Sequence, residues 1–388
     1  MRDLLLGRPI RDMDMVFDGP EQSFLQDHPE ARKVKEAPVP IYIAGNCEFS
    51  PVSPDGLKAD MLRRDFTINA LALAWDGILY AHPQAFADLA GMVLRPASST
   101  ALRDDPVRAL RAARLSAAFP EFFPHKETLA QMRALEPQEL ASIAPEQVGR
   151  EVLKACLASK PGNFLRLLNA GQCMLPWFEE LAKAHAIPAG PPAFHQDTSV
   201  LEHTAVVMDG TARSFLAPEN LPFQPATAFL RVKAPYAFEE ARSLAVWMAL
   251  CHDLGKTATL AEILPKHIGH EARGETLALA LGERLRLPRL YIKAGALAAR
   301  LHMKAGRYQI LRSGTKTDLL MAVHSSHVFV PFFFMAAQDS HNPALPEEAQ
   351  NDLETILAVK LPEEQKNQGF LSGKLLRDLR SKALAAKR

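Results

Sequence analysis

The chain has 388 residues, 48% of them hydrophobic and 23% charged, with a formal net charge of +1. That length exceeds one compact core, so roughly two to four domains are expected in an ordinary globular protein. The near-zero charge excludes an indiscriminate polyanion binder but permits a local basic face, and no apolar run reaches the roughly 18 to 20 residues of a membrane span.

The opening MRDLLLGRP has too short an apolar stretch to read as a signal peptide. Cys47, Cys156, Cys173 and Cys251 are far apart and read as free thiols of a reducing cytoplasm. Residues 1 to 95 alternate short apolar stretches with Gly, Pro and Asp turns, a small α/β pattern. Met13, Met15, Val16 and Phe17 read as a strand, in which Asp12 and Asp14, two apart, share a face. Paired carboxylates repel unless a cation lies between them; a solvated edge strand is the plainer reading.

From Asp104 to about residue 183 the pattern is amphipathic helix, broken at FPEFFP and SKPGNF. The stretch DDPVRALRAARLSAAF predicts one helix with Asp105, Arg108 and Arg111 on a common stripe. An exposed i,i+3 salt bridge would account for the first two. So would a protein template for a nucleobase. A carboxylate only accepts hydrogen bonds and a guanidinium only donates, so the pair matches the amino group and ring nitrogen of cytosine or adenine. Uracil and guanine present the reverse and would leave polar groups unpaired.

The Pro/Gly-rich AHAIPAGPPAFHQD reads as a linker, with His185 and His195 solvated. Helices resume at SVLEHTAVVMDGTA and run to about residue 340, and NPALPEEAQND leads into a helical tail. This half holds His203, His252-Asp253 before Leu-Gly-Lys, His267, His270, His302 and Asp339. Gly255 is expected to end the helix and leave His252 and Asp253 at its mouth. Imidazoles and carboxylates from separate helices suit a divalent metal, and an Asp can bridge two.

RDLLLGRPIRDMD, LRRDFTINALA and DDPVRALRAARLSAAF, in that order, resemble the class II tRNA nucleotidyltransferases. These are the CCA-adding enzymes and bacterial poly(A) polymerases of the polymerase-beta-like superfamily. The segments VPIYIAGNCEFSP, FADLAGMVLRP, the 141–181 stretch and GFLSGKLLRDLRSKAL are similar to the family's intervening and tail segments. The His/Asp half looks like the HD phosphohydrolase domain of bacterial multifunctional CCA proteins.

The resemblance implies an α+β chain. Residues 1–95 would be a nucleotidyltransferase head on a small mixed sheet, and 96–185 a helical neck and body for nucleobase recognition and tRNA binding. An HD domain would span 195–343 and a helical tail 344–388. Asp12 and Asp14 would hold Mg2+; Arg2, Arg64 and Asp65 would contact or organise the nucleotide. Asp105 and Arg108 would read the base, with Arg111 a further contact. In the HD domain His203, His252, Asp253 and Asp339 would bind a first metal, His252 and Asp253 at the catalytic centre, and His270 and His302 a second. The ion would be Ni2+, Mn2+ or a similar transition metal, or Mg2+.

The chain would then add and repair the 3′-terminal CCA of tRNA from CTP and ATP, and hydrolyse 2′,3′-cyclic phosphates and phosphomonoesters. CC-only, A-only or poly(A) addition, and a monomer or homodimer, stay open. Met303 and the Ser-His-Asn after Asp339 depart from the family pattern. Met1 stands where the family has a strand and Gly-Gly turn, so the head is expected to lack its first strand. A start assigned about ten residues late is the expectation. An HD phosphohydrolase on an inactive scaffold, or an RNA-binding module without catalysis, are the alternatives.

Overall fold

The structure, a computed structural model, describes residues 1–10, 13–35, 39–52, 54–191, 198–215 and 237–387. Asp12 and His195 lie outside the described residues. The chain divides into two compact units, Met1–Arg108 with Glu121–Ala134, and Ala109–Pro120 with Leu135–Arg388. No helix among the described residues is long and apolar enough to cross a membrane.

The first unit is built on a mixed sheet of β1 (Met13–Phe17), β2 (Arg32–Lys35), β3 (Ile41–Ala44) and β4 (Cys47–Pro51), in the order β1-β4-β3-β2. β1 runs parallel to β4; the other pairs are antiparallel. Gly45, at φ +59°, supplies the left-handed residue that lets two residues join β3 to β4. The two-residue period of β3 turns Tyr42 and Ala44 inward and leaves Ile43 exposed. Tyr42 and Ala44 pack with Phe49 and with Phe24 of the helix Glu21–Asp27, while Phe17 stacks on Phe24 at 4.1 Å.

The predicted helix over 104–119 is divided. A short helix, Ala101–Asp104, ends at Asp105, which is extended at φ −149° and ψ 97°, and the main helix runs Val107–Ala118. Pro106 is the cause, because its ring disfavours helical backbone in the preceding residue. Asp105 instead behaves as a cap, its Oδ1 accepting the Val107 N–H at 3.3 Å. The FPEFFP break holds a two-residue strand, Phe123–Pro124, paired in parallel with Val93–Leu94.

The described remainder of the second unit is mainly helical. At its centre lies the helix Phe238–Cys251, every residue of which from Ala241 onward is buried. Such a helix has no solvent face, and its apolar sequence shows no clear amphipathic stripe. Packed around it are the helices Pro145–Cys156, Val200–Ser214, Arg289–Gly306 and Phe329–Asp339. Trp247 anchors it from within, donating from Nε1 to the Tyr291 carbonyl at 2.7 Å. The helix Gly162–Ala170 approaches Val200–Ser214 closely, since a Cβ on Gly162 would stand 2.4 Å from the Ala205 carbonyl oxygen. Its Gly162 N–H donates to Asp209 Oδ1 at 2.7 Å, and Arg166 bonds both Glu202 and Asp209.

Candidate metal centre and nucleotide-binding segments

Five helices deliver the imidazoles and carboxylates of the second unit to one point. His203 lies in the first turn of Val200–Ser214, whose start is fixed by Ser199 Oγ accepting the Glu202 N–H. His252 and Asp253 directly follow Phe238–Cys251; His270 opens His270–Arg284; His302 lies in Arg289–Gly306; Asp339 ends Phe329–Asp339. Gly255 does not itself end the helix, as was expected of it. The helix stops at Cys251, and Gly255 sits in a following 3-10 turn, Leu254–Ala258. Glycine is required there because a Cβ would lie 1.9 Å from the His270 carbonyl oxygen.

Two sets of donor atoms share Asp253. In the first, His203 Nε2 stands 3.3 Å from His252 Nε2, 3.4 Å from Asp253 Oδ2 and 3.2 Å from Asp339 Oδ1. His252 Nε2 is 3.3 Å from Asp253 Oδ2 and 3.4 Å from Asp339 Oδ1. In the second, Asp253 Oδ1 lies 3.5 Å from His270 Nε2 and 3.4 Å from His302 Nε2, which are 3.2 Å apart. Ligand atoms about 2.0 to 2.2 Å from one ion, at octahedral to tetrahedral angles, stand about 2.9 to 3.5 Å from each other. Each set therefore has the spacing of a single divalent coordination sphere.

Three imidazoles are held in the tautomer that a metal needs. A carbonyl oxygen only accepts, so Nδ1 is the donor in His252 to Ala249, in His270 to His267, both at 2.7 Å, and in His302 to Ala299 at 3.0 Å. Each neutral ring thus turns a bare Nε2 inward. Asp253 is buried, and apart from its ion pairs with Lys256 and the surrounding imidazoles neither carboxylate oxygen accepts a hydrogen bond among the described residues. A buried carboxylate ringed by imidazole nitrogens in this way fits a bound cation.

The electrostatics agree. Burial opposes ionisation of Asp253 and Asp339, yet His252 holds both well below the usual carboxylate range, aided by Lys256 at Asp253 and by His203 at Asp339. Burial likewise opposes a charge on His252, but Asp253 and Asp339 outweigh it and push its pKa up to about 10. Where no cation is bound, a proton on His252 supplies part of the positive charge the two carboxylates demand. His270 is shifted down, chiefly by burial, against the pull of Asp253.

In the first unit Asp14 lies exposed on β1, in register with Glu48 of β4. Arg2 and Asp65 are joined through Asn69: Arg2 Nη1 donates to Asn69 Oδ1 at 2.6 Å, and Asn69 Nδ2 donates to Asp65 Oδ1 at 2.9 Å. Asp65 is buried and also accepts the Phe66 N–H at 2.8 Å. Arg64 is half-buried. Arg108 Nε approaches Asp105 Oδ2 at 3.9 Å, while its terminal nitrogens donate to the carbonyls of Ala101 at 3.0 Å and Arg63 at 2.7 Å. Arg111, one turn further along the same helix, falls in the second unit and is half-buried.

The HD domain family matches residues 200–359, the part that carries the cluster. The multifunctional CCA protein of Alkalilimnicola ehrlichii is 32% identical over 341 residues, covering 82% of this chain and 76% of that protein. The multifunctional CCA protein of Verminephrobacter eiseniae is 33% identical over 314 residues, covering 74% and 69%. The chain belongs to the multifunctional CCA protein family. Its fold agrees with that assignment: the Thermotoga maritima CCA-adding enzyme complexed with tRNA matches 99% of this chain and 85% of its own, at a TM-score of 0.64 and 18% identity.

Two residues that organise these sites carry no clear signal in the sequence. Lys256 is buried, with Nζ 2.7 Å from Asp253 Oδ2. Its spacing of three from Asp253 would have placed the two on one side of a helical turn, had that turn been read as continuing past the His-Asp pair. Asn69 lies inside LRRDFTINALA but carries no charge to mark it. His267, in contrast, is occupied elsewhere, with Nδ1 2.8 Å from Thr259 Oγ1 and Nε2 2.8 Å from the Pro188 carbonyl.

Proposed function

We propose that this protein adds and repairs the 3′-terminal CCA of tRNA from CTP and ATP without a nucleic-acid template, in the cytoplasm. We propose also that its HD domain is a metal-dependent phosphohydrolase acting on 2′,3′-cyclic phosphates and phosphomonoesters. Kinship at 32% identity over 82% of the chain carries the first reading. The two donor sets meeting at Asp253 carry the second. The proposed division of labour is a catalytic head over 1–95, a base-reading and tRNA-binding neck and body over 96–185, an HD domain over 195–343 and a tail over 344–388.

In the head, Asp14 together with Asp12 would hold Mg2+, which supplies charge neutralisation at the transferring phosphoryl group. Arg2, oriented by Asn69, and Arg64 would meet the nucleotide, and Asp65 would fix that arrangement from beneath. Asp105 and Arg108 would present an acceptor beside donors to the base, with Arg111 as a further contact. In the HD domain His203, His252, Asp253 and Asp339 would hold one ion, and Asp253, His270 and His302 a second. A bound ion there supplies Lewis acidity and lowers the pKa of water. Four imidazoles in the two sets favour a transition ion such as Ni2+ or Mn2+ over Mg2+.

The decisive assay offers tRNA lacking its CCA end, each nucleoside triphosphate singly and then CTP with ATP, in Mg2+, with products resolved to one nucleotide. Gain of three residues from CTP plus ATP is expected. A long tract from ATP alone would instead make the protein a poly(A) polymerase. No extension, with 2′,3′-cyclic nucleotide still hydrolysed, would leave the HD domain as the working part.

A further inference from the structure

Asp253 is shared between two donor sets, and apart from its ion pairs neither oxygen accepts a hydrogen bond among the described residues, so its rotation must be held by those pairs. Lys256 is the one ammonium within ion-pair distance among the described residues. Its Nζ lies 2.7 Å from Oδ2, the oxygen turned to His203 and His252, and donates to the Ala189 carbonyl at 2.7 Å. Ala189 belongs to a closed loop base: its N–H donates to the Thr198 carbonyl, the Val200 N–H donates to Ile187, and Pro188 bridges Ser199. His267 holds the same base through Pro188. The base leads directly into the helix that carries His203.

We propose that Lys256 is a positioning residue that fixes the Asp253 carboxylate between the two metal positions and ties it to the loop base ahead of His203. This rests on the HD domain being a metal site. The ammonium pins Oδ2 toward the first position and thereby leaves Oδ1 aimed at His270 and His302. Its two effects act in one direction. Among the described residues the second position has Asp253 as its only carboxylate, so it depends on this aim, whereas the first also has Asp339. The positive charge stands beside the oxygen of the first position and repels an ion there. Removing Lys256 therefore weakens the second position and strengthens the first.

The test is calorimetric titration of the full chain, stripped of metal, with Mn2+, on wild type and Lys256→Met. The wild type is expected to take two ions. In the variant the second ion binds roughly 10- to 100-fold more weakly, the scale of losing a group that orients a ligand, while the first binds no less tightly. Circular dichroism establishes that the variant is folded. Should it not fold, Lys256→Arg keeps the charge and a donor for Ala189 but displaces Asp253 by its bulk, and the same loss at the second position is expected. Two ions bound with wild-type affinities in a folded variant that has only lost thermal stability would overturn the proposal. A wild type that binds no ion would instead overturn the metal reading of the HD domain itself.

Discussion

Gly255 and His270 are packed backbone to backbone: a methyl group on residue 255 would stand 1.9 Å from the His270 carbonyl oxygen and 2.6 Å from the Gly274 nitrogen. Neither atom belongs to a side chain that could rotate away. The contact sets how far Asp253, two residues before Gly255, lies from the imidazole of His270.

Gly255→Ala should therefore act on the HD domain alone. Overpacking of a dense site costs about 1 to 3 kcal/mol, and the shift should part Asp253 from His270 and His302. The expected outcome is a lowered melting temperature, loss of phosphohydrolase activity and unchanged addition of CCA by the same preparation. Equal loss of both activities would mean that the contact supports the whole chain and not this site.

The metal-free cluster should show a distinctive pH dependence. His252 has a folded pKa near 10 against an ordinary value of 6.5. A group raised on folding contributes stability that is fully present below the unfolded value and is lost as pH rises through the folded one. Chelator-treated protein should thus lose thermal stability from about pH 6.5 to 10. Metal binding needs Nε2 bare, so an added ion must displace that proton and should bind more tightly as pH rises through the same window. Titration with Mn2+ in two buffers of different ionisation heat reads the proton release directly. His252→Ala should abolish it.

Chemistry on recognisable residue types was legible in the sequence, whereas geometry set by neighbours was not. His203, His252, Asp253, His270, His302 and Asp339 could be picked out because imidazoles and carboxylates on apolar helices are uncommon. The sequence had no means of showing that Asp253 would face two sets at once, because that depends on five helices meeting. Short apolar runs and turns made a small α/β head legible, while its mixed sheet was implied by the family resemblance. The break at Asp105 is hard to see in the sequence because the helical periodicity on either side outweighs the single signal of Pro106. Lys256 and Asn69 are silent in the sequence for a related reason: each acts through another residue, and only the fold shows which.

Asn69 makes this concrete in the head. It links Arg2 to Asp65, accepting from one and donating to the other. Asn69→Ala should uncouple the Arg2 guanidinium from Asp65 and lower nucleotide addition by roughly tenfold, the scale of losing one hydrogen bond to a charged group. Asn69→Asp keeps the acceptor for Arg2 but sets a carboxylate against Asp65, so it should not rescue. Phosphohydrolase activity of both variants should equal wild type, because the HD site is built wholly from the second unit.

Asp105 and Arg108 separate base reading from binding strength. The Arg108 fork is pinned by the carbonyls of Ala101 and Arg63, which use one N–H on each terminal nitrogen. A guanidinium carries five N–H donors, so three stay available toward a base. The Asp105 carboxylate, 44% exposed and engaged by the Val107 N–H through Oδ1, keeps acceptor capacity. Arg108→Ala removes donors only, and Asp105→Ala acceptors only, so neither variant can still distinguish cytosine and adenine from uracil and guanine on both counts. Discrimination against UTP and GTP should fall by about tenfold or more in each, the scale of one buried polar group left unpaired. Binding of Mg2+ should be unaffected. Arg108→Lys should behave like Arg108→Ala, because a single ammonium cannot hold two carbonyls and still present a planar edge. Single-turnover incorporation of each triphosphate into tRNA ending in CC measures the effect. Unchanged discrimination in both alanine variants would remove this pair as the template and shift the choice of base to other residues of the head.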